Sequence, residues 1–283
     1  MIPKVIHYCW FGRNPLPESA LKCIESWKKY LPDYEIKEWN EDNFDVNIIP
    51  YTAEAYKLKK YAFVSDYARF WILYKYGGLF FDTDVEVIKP MDDIIARGPF
   101  MGCENNAQPG ATPKNIGLNS GLGLGVNPGL GLGVHPGLEL YGEMLDLYKT
   151  LHFLNPNGTY NKKTVVNYTT ETLCNHGLIN SNQIQECSGV YIYPKEYFCP
   201  KDFTTNKLKL TDKSVCIHHF EGSWLSEEAR FSNEFSYTHF LFLPLKVRGS
   251  ISKMYAAYKF RGVAGFFQQV RRSFKTLIFG ENS

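Results

Sequence analysis

The segment YGGLFFDTDVEV, from Tyr76 to Val87, constrains the fold of this 283-residue chain more than any other. Its apolar run from Leu79 to Phe81 is typical of a strand that is buried on both faces. Asp82 and Asp84 follow at once, and burying an unpaired carboxylate is costly. The strand therefore has to leave the core at Asp82, or a cation has to lie beside the two acids.

The flanking sequence predicts an α/β domain with a mostly parallel central sheet. Val5 to Trp10 has the pattern of a buried strand, and Tyr61 to Tyr76 carries apolar residues at helical spacing until Gly77 stops it. Strands that alternate with helices in this way are typical of parallel sheets. Further strands are predicted at Glu35–Trp39, Phe100–Cys103, Val190–Tyr193 and Ser214–His219, and helices after Pro17 and at Leu138–Leu151.

A tandem octapeptide interrupts this alternation. GLGLGVNP at Gly121–Pro128 is followed directly by GLGLGVHP at Gly129–Pro136. Two copies are too few for a solenoid, and a GxGxxG dinucleotide motif fails because Val126 stands where the third glycine is needed. The favoured interpretation is a local duplication that lengthens a loop.

Cysteine usage and the N-terminal sequence indicate the cellular compartment. The seven cysteines are scattered, odd in number and without a CxxC pair, which indicates a reducing compartment and argues against disulfides or a zinc site. The chain begins MIPKVIHYCW, which looks like a first strand rather than a signal peptide. No run approaches the length of a membrane-spanning helix. We therefore expect a cytoplasmic protein.

The acids themselves indicate a metal site. In a strand, residues two apart point to the same face, and the carboxyl end of a strand is where open sheets bind ligands. Mg²⁺ and Mn²⁺ prefer oxygen ligands and bridge carboxylates to phosphates. Asp82 and Asp84 thus predict a divalent ion that holds a nucleotide diphosphate, with a solvated strand end as the alternative.

Two more pairs of polar residues support a site. Asp66 and Arg69 share one helix face, as a surface ion pair or as a polar face that lines a cleft. His218 and His219 end a predicted strand before Gly222. An imidazole there completes an Asp/Asp/His metal set, or is structural.

Three blocks in order resemble glycosyltransferase family 32: IPKVIHYCWFG, SDYARFWILYKYGGLFFDTDV and HHFEGSW. This family of DxD sugar-binding transferases is similar, more distantly, to the large clostridial glucosylating toxins. The resemblance covers roughly residues 1 to 225. It implies a GT-A type fold, Mn²⁺ or Mg²⁺, and transfer with retention from a nucleotide-sugar donor, a UDP-sugar rather than a GDP-sugar.

The resemblance also implies roles for single residues. Trp10 stacks on the nucleotide base, while Asp66 and Arg69 hold hydroxyls of the donor sugar. Asp82 reaches the ribose and the metal ion, and Asp84 ligates the metal ion.

The remaining roles come from the same resemblance. Asn119 touches the donor sugar, His219 completes the metal site, and Ser223 and Trp224 close on the diphosphate. The chain departs from the toxins at Phe80, where they carry a tyrosine, and at His219, where they carry an acid.

The expected function is therefore a metal-dependent retaining glycosyltransferase that acts on a glycan or lipid-linked acceptor in bacterial capsular or cell-surface polysaccharide synthesis. Because no carboxylate stands out as a covalent nucleophile, front-face attack by the acceptor hydroxyl is favoured. The alternatives are a sugar nucleotidyltransferase, although PKVIHYCWFG is no phosphate loop, and a catalytically inactive glycan-binding module.

The C-terminal residues differ in charge from the rest. Residues 246–283 carry eight basic residues and one acid, a net charge of +7, whereas residues 1–245 carry 23 basic and 28 acidic residues, a net charge of −5. We expect a glycosyltransferase domain at 1–245 and a basic amphipathic helical tail at 246–283. Six apolar residues of the tail fall within an arc of about 120°: Phe266, Phe267, Val270, Phe274, Leu277 and Ile278.

This stripe has two interpretations. Basic amphipathic helices bind anionic membrane surfaces, here the inner face of the plasma membrane, and terminal helices also dock on their own domain. Nucleic-acid binding is a poorer interpretation, since no matching motif accompanies the charge.

Overall fold

The computed structural model describes residues 1–107, 125–161, 163–203, 205–222 and 225–279. These residues form two compact units, Met1–Phe203 with Lys207–Phe220, and Thr204–Asn206 with Glu221–Ser283. The second unit begins before residue 245, and the domain boundary expected there stays a prediction.

The elements of the first unit alternate largely as expected. Its strands are β1 Val5–Cys9, β2 Glu35–Trp39, β3 Gly78–Phe80, β4 Val85–Val87, β5 Phe100–Asn105, β6 Gly125–Asn127, β7 Leu132–Val134, β8 Gln185–Cys187, β9 Val190–Tyr193 and β10 Cys216–His218. Its helices are α1 Glu18–Tyr30, α2 Pro50–Lys57, α3 Tyr61–Tyr76, α4 Asp92–Arg97, α5 Glu139–Lys149, α6 Val165–Asn175 and α7 Lys195–Phe198.

The central sheet has the strand order β2-β1-β3-β7-β5-β9-β8, with β6 paired to β5. β1 runs parallel to β2 and β3, and β5 runs parallel to β9. β7 lies antiparallel between β3 and β5. Of the strands described in this sheet, β1, β2, β3, β5 and β9 therefore share one direction, which confirms the α/β class with a largely parallel sheet. β4 and β10 form a separate antiparallel pair.

Helix α3 is buried along most of its length. Val64, Phe70 and Leu73 have no exposed area, as its dense apolar sequence predicts. Because the helix is packed on so many sides, the polar side chains that it carries are also brought into the interior. Gly77 ends the helix in the left-handed region (φ 64°), and a Cβ there would lie 2.8 Å from the carbonyl oxygen of Val134.

The octapeptide copies are not a loop extension, and that interpretation is wrong for the part that the structure describes. Gly125–Asn127 forms β6 and Leu132–Val134 forms β7, which lies inside the sheet, while residues 121–124 lie outside the described residues. Glycine in the copies makes room for neighbours, since a Cβ on Gly133 would lie 2.2 Å from the Phe100 ring. The alternation of Leu and Gly is thus a strand pattern, in which an aromatic side chain from a neighbouring strand fills the space beside the glycine.

His7 on β1 is held neutral in the core. The Trp39 indole N–H donates to His7 Nδ1 at 3.0 Å, so His7 Nε2 donates to the Gly77 carbonyl oxygen, also at 3.0 Å. Burial, with a smaller contribution from the charge of Lys37, lowers the pKa of His7 to about 4, although the bond to Gly77 opposes this shift.

This lowered pKa predicts acid sensitivity. A histidine whose folded pKa lies below its unfolded value near 6.5 stabilises fully above that value, and the contribution is lost as pH falls towards 4. The loss is about 3 kcal/mol over this window. Urea unfolding at pH 7.0, 5.5 and 4.5 should therefore show the stability advantage of the wild type over His7→Gln shrinking as pH falls. A pH-independent difference would contradict the assignment.

The second unit consists of α8 Glu227–Thr238 and α9 Leu245–Phe279, whose helical geometry breaks at Gly262. The two helices pack through aromatic contacts, with Phe235 and Tyr255 ring centroids 4.7 Å apart. Arg261 on α9 also pairs with Glu228 on α8 at 2.8 Å. The predicted C-terminal helix is confirmed. Among the described helices, none has the length and hydropathy of a membrane-spanning segment.

Candidate functional site

The DxD acids lie in a turn between β3 and β4. Phe81 is fully buried, whereas the side chains of Asp82 and Asp84 are 29% and 18% exposed. The chain thus leaves the core at Asp82, as expected. The backbone N–H of Asp82 donates to the Gly129 carbonyl oxygen at 2.9 Å, and that of Val85 to the Asp82 carbonyl oxygen at 3.0 Å. Since this segment is a turn, the same-face geometry expected of a strand does not apply, and the two acids meet different partners.

Arg69 is the cation beside Asp82. Its guanidinium lies 3.1 Å from Asp82 Oδ1 and 3.1 Å from Asp66 Oδ1, so it joins α3 to the DxD turn. Its Nε donates to the Ser65 carbonyl oxygen at 3.2 Å. The side chain of Arg69 is only 4% exposed and that of Asp66 11%. This pair is therefore buried, and the alternative of a surface ion pair is excluded.

Burial sets the charge of this triad. Desolvation raises the pKa of Asp66 to about 7, because the attraction of Arg69 only partly offsets it and Asp82 adds to the shift. Burial opposes the charge of Arg69, but Asp82 and Asp66 together raise its pKa. Asp66 can therefore gain or lose a proton near neutral pH, while Arg69 stays cationic and holds Asp82 in place.

Asp84 faces His218. His218 Nε2 lies 3.3 Å from Asp84 Oδ2, because the antiparallel pairing of β4 and β10 sets His218 opposite Val85. Burial alone would lower the pKa of His218, but the Asp84 carboxylate and then the Cys199 thiol raise it well above its usual value. His218 is therefore held in its protonated form beside the Asp84 carboxylate.

His219 turns to the other side. Its Nε2 lies 2.9 Å from Glu86 Oε2, and only its backbone N–H approaches the DxD turn, donating to the Asp84 carbonyl oxygen at 2.9 Å. Consecutive residues at a strand end project to opposite sides, so the two imidazoles diverge. The geometry thus does not support the expectation that His219 is the third metal ligand, and it offers His218 instead.

The residues present fit a divalent cation. Within the described ranges, no three His, Cys, Asp or Glu side chains are already arranged as a metal cluster. However, Asp82 and Asp84 supply carboxylate oxygens, and the His218 imidazole lies 3.3 Å from Asp84 Oδ2. Mg²⁺ typically takes one or two carboxylates plus phosphate oxygens and water. A diphosphate would therefore supply the remaining ligands.

Gly129 is a site residue that the sequence reasoning missed. A Cβ at this position would lie 1.7 Å from Asp82 Oδ2 and 2.8 Å from an Arg69 nitrogen. Its N–H donates to Asn127 Oδ1 at 2.8 Å, and Asn127 donates to Glu104 Oε2 at 3.0 Å. The pattern that could have revealed it is the octapeptide itself, whose second copy begins at this glycine.

The other predicted site residues divide into two groups. Trp10 is half-buried directly after β1, and its indole N–H donates to the Asn14 carbonyl oxygen at 2.7 Å. Because β1 and β3 are parallel neighbours, Trp10 lies at the same edge of the sheet as Asp82. Asn119, Ser223 and Trp224 lie outside the described residues.

A family model matches part of the first unit. Residues 17–101 match the model of the glycosyltransferase sugar-binding region containing DXD motif. This match confirms the resemblance to the DxD transferases of family 32. The matched segment contains α3 and the DxD turn, and with them Asp66, Arg69, Asp82 and Asp84.

Curated relatives carry related names. Inositol phosphoceramide mannosyltransferases 1 and 3 of Schizosaccharomyces pombe are 29% identical over 111 residues and 33% identical over 98 residues, covering 35% and 33% of this chain and 33% and 27% of theirs. The uncharacterized glycosyltransferase L373 of Acanthamoeba polyphaga mimivirus is 34% identical over 106 residues, covering 35% of this chain and 42% of its own. The matches thus span about a third of these relatives.

Solved glycosyltransferases show a distant likeness. A glycosyltransferase involved in the glycosylation of the major capsid of PBCV-1 gives a TM-score of 0.44 at 14% identity, covering 82% of this chain and 98% of its own. The galactosyltransferase LgtC gives 0.39 at 12% identity, covering 81% and 92%. The PaToxG glycosyltransferase gives 0.42 at 19% identity, covering 62% and 69%.

Proposed function

We propose that this protein transfers a sugar from a nucleoside diphosphate sugar to a hydroxyl acceptor, in a GT-A type site that requires a divalent cation. The observation that carries the proposal is the buried guanidinium of Arg69. The guanidinium lies 3.1 Å from a carboxylate oxygen of Asp66 and 3.1 Å from one of Asp82. Asp84, two residues after Asp82, contacts His218. A triad buried this deeply is costly to maintain for stability alone. It fixes carboxylates at the edge where such sheets bind ligands.

The metal and the diphosphate meet at the DxD turn. Asp84, with Asp82 and His218, would hold Mn²⁺ or Mg²⁺. When bound, the cation neutralises the negative charge that develops on the departing diphosphate. Asp82 is oriented by Arg69, so its carboxylate does not have to reorganise when the donor arrives. Ser223 and Trp224 follow β10 closely in sequence and, by the family resemblance, close on the diphosphate.

The donor sugar is held by the α3 residues. Asp66 has a pKa raised to about 7 by burial, so its carboxyl can donate to or accept from a sugar hydroxyl at neutral pH. Arg69 acts on the sugar through the two carboxylates that it positions. In this scheme the acceptor hydroxyl attacks on the face that the diphosphate leaves, and a departing phosphate oxygen takes its proton. The configuration at the anomeric carbon is then retained.

The names of the relatives suggest the substrates. Two of them are mannosyltransferases named for inositol phosphoceramide, which favours a mannosyl donor and a lipid-linked acceptor over a purely soluble glycan. The preference for uridine over guanosine and the setting in capsule or cell-surface synthesis remain predictions from the sequence.

Stacking by Trp10 can be tested separately. If Trp10 stacks on the nucleobase, Trp10→Ala should weaken nucleoside diphosphate binding by about 1–3 kcal/mol, the usual worth of an aromatic ring stacked on a base. Calorimetry with UDP and GDP in the presence of Mn²⁺ measures this. Trp71→Phe, on the α3 face that packs against Trp39, should leave binding unchanged. Equal affinities of wild type and Trp10→Ala would remove Trp10 from the site.

A donor panel tests the function as a whole. The full chain with Mn²⁺ should release a nucleoside diphosphate slowly from one UDP- or GDP-sugar, and faster when the acceptor is added. Pyrophosphate formation would instead identify a nucleotidyltransferase. Tight binding of a donor without release of any product would indicate an inactive binding module.

A further inference from the structure

The second unit concentrates exposed apolar side chains. Ten of the twenty large apolar side chains exposed in the described residues lie between Phe240 and Phe274, a segment of about an eighth of the chain. Isolated exposed apolar residues are ordinary on a protein surface, but their concentration in one region marks an interaction site. The region is therefore the strongest candidate for a binding surface outside the DxD site.

The most exposed apolar side chain of this region lies at the tip of the hairpin formed by α8 and α9. Leu241 is 62% exposed and Phe242 is 83% exposed, in a turn closed by a bond from the Leu243 N–H to the Phe240 carbonyl oxygen at 2.9 Å. Phe240 itself is in the left-handed region with φ 55°. An aromatic residue is unfavourable in this conformation, and glycine or asparagine would be expected if the turn served only to connect two helices. The sequence FLFLP thus has an unfavourable backbone conformation at Phe240 and exposes two large apolar side chains, where a glycine or asparagine turn would avoid both.

The positive charge around the tip indicates the chemistry of its partner. Residues 235–280 contain eight lysines and arginines and no aspartate or glutamate. Lys246, Lys253 and Arg271 are exposed, and Lys246 lies one turn of α9 beyond the tip. The exposed Glu234, six residues before Phe240, is the nearest acid along the chain. An apolar tip in a basic surround matches an apolar layer beneath negative headgroups.

A second apolar face lies beyond the break at Gly262. Val263, Phe267 and Phe274 are 61%, 58% and 58% exposed, whereas Phe266 and Val270 are half-buried. The residues of the predicted stripe therefore differ in exposure. The side chains of Leu277 and Ile278 are not among those that the structure describes. Phe267 and Arg271 line the same surface cavity, so this part of α9 also combines an apolar group with a basic one.

We propose that the second unit binds the surface of an anionic bilayer, with Leu241 and Phe242 entering the apolar boundary and the basic residues of α9 contacting headgroups. This proposal goes beyond the proposed function and does not depend on it. It assigns the hairpin tip, rather than the predicted stripe alone, as the part that enters the membrane.

Flotation of the full chain with vesicles tests the proposal. Vesicles of phosphatidylcholine with about a third phosphatidylglycerol should bind the protein at low salt, and less as salt rises, because the Debye length shrinks from about 30 Å at 0.01 M to 8 Å at 0.15 M. Pure phosphatidylcholine should bind little. The double variant Leu241→Ser/Phe242→Ser should lose at least about tenfold in partitioning. Lys246→Glu/Lys253→Glu should lose about fivefold or more per residue on anionic vesicles only.

Matched control variants distinguish specific membrane binding by the tip from non-specific adsorption to vesicles. Ile179→Ser/Leu210→Ser removes two apolar side chains of the first unit that are 63% and 51% exposed, and should bind vesicles like the wild type. Because all replaced side chains are exposed, circular dichroism melts of the variants should coincide with that of the wild type. Equal flotation of the tip variant and the wild type would overturn the proposal. So would a concentration-dependent dimer in sedimentation that the tip variant abolishes, without vesicle binding, since the tip would then bind a second copy.

Discussion

Asp84→Asn should reduce sugar transfer by at least about a hundredfold, the size of effect seen when one electrostatic contact to a departing charge is lost. The amide keeps the shape of the side chain and loses its charge. Asp84 lies in the turn after β3 with its Oδ2 3.3 Å from His218 Nε2, so the substitution removes the carboxylate that we assign to the cation. The fold should persist, because His218 can release its proton once the carboxylate is gone. Initial rates with saturating donor and Mn²⁺ measure the effect.

A matched carboxylate provides the control. Asp146→Asn removes an exposed acid of α5 that pairs with Lys149 at 2.7 Å, and should keep the wild-type rate. Wild-type rates in Asp84→Asn would remove the metal assignment.

Gly129→Ala should be nearly as damaging, although it adds only a methyl group. The new Cβ would lie 1.7 Å from Asp82 Oδ2 and 2.8 Å from an Arg69 nitrogen, so the Asp82 carboxylate has to move by more than an ångström. Asp82 is 29% exposed and can swing outward, but this breaks its contact with Arg69. We expect transfer to fall by at least about tenfold, and unfolding to become easier by about 1–3 kcal/mol, as for overpacking elsewhere.

Gly249→Ala is the control for this prediction. A Cβ on Gly249 in α9 meets nothing within 4 Å, so this variant should keep full activity and gain up to about 1 kcal/mol from helix propensity. Thermal melts and initial rates of the two variants, measured side by side, test the difference. Normal transfer by Gly129→Ala would show that the close packing of the second octapeptide against Asp82 has no part in catalysis.

Much of the first unit could be predicted because its signals are local. The bounds of α3 follow from its apolar spacing and from Gly77, and the end of the buried run at Phe81 shows where the chain leaves the core. The requirement for a cation near Asp82 was also present in the sequence. The spacing on α3 showed only that Asp66 and Arg69 share a face, and the sequence assigned the cation near Asp82 to a divalent ion. The contact of Arg69 with Asp82 is known from the structure.

The sequence reasoning fell short where tertiary packing decides. Alternating glycine in the octapeptide looks like a loop until the Phe100 ring fills the space beside Gly133. The choice between His218 and His219 depends on the register of β10 against β4, which no short segment encodes. The contact of Gly129 with Asp82 joins positions 47 residues apart in sequence. None of these could be read from spacing alone.

Locating the cation tests the central claim most directly. Crystals of the full chain grown with Mn²⁺ and the nucleoside diphosphate of the accepted donor should be measured at the manganese absorption edge. We predict an anomalous peak within about 2.0–2.3 Å of a carboxylate oxygen of Asp84 and of a diphosphate oxygen, with His218 or Asp82 beside it. A diphosphate bound with its Mn²⁺ away from the DxD turn, and with Asp84 still in contact with His218, would contradict the account.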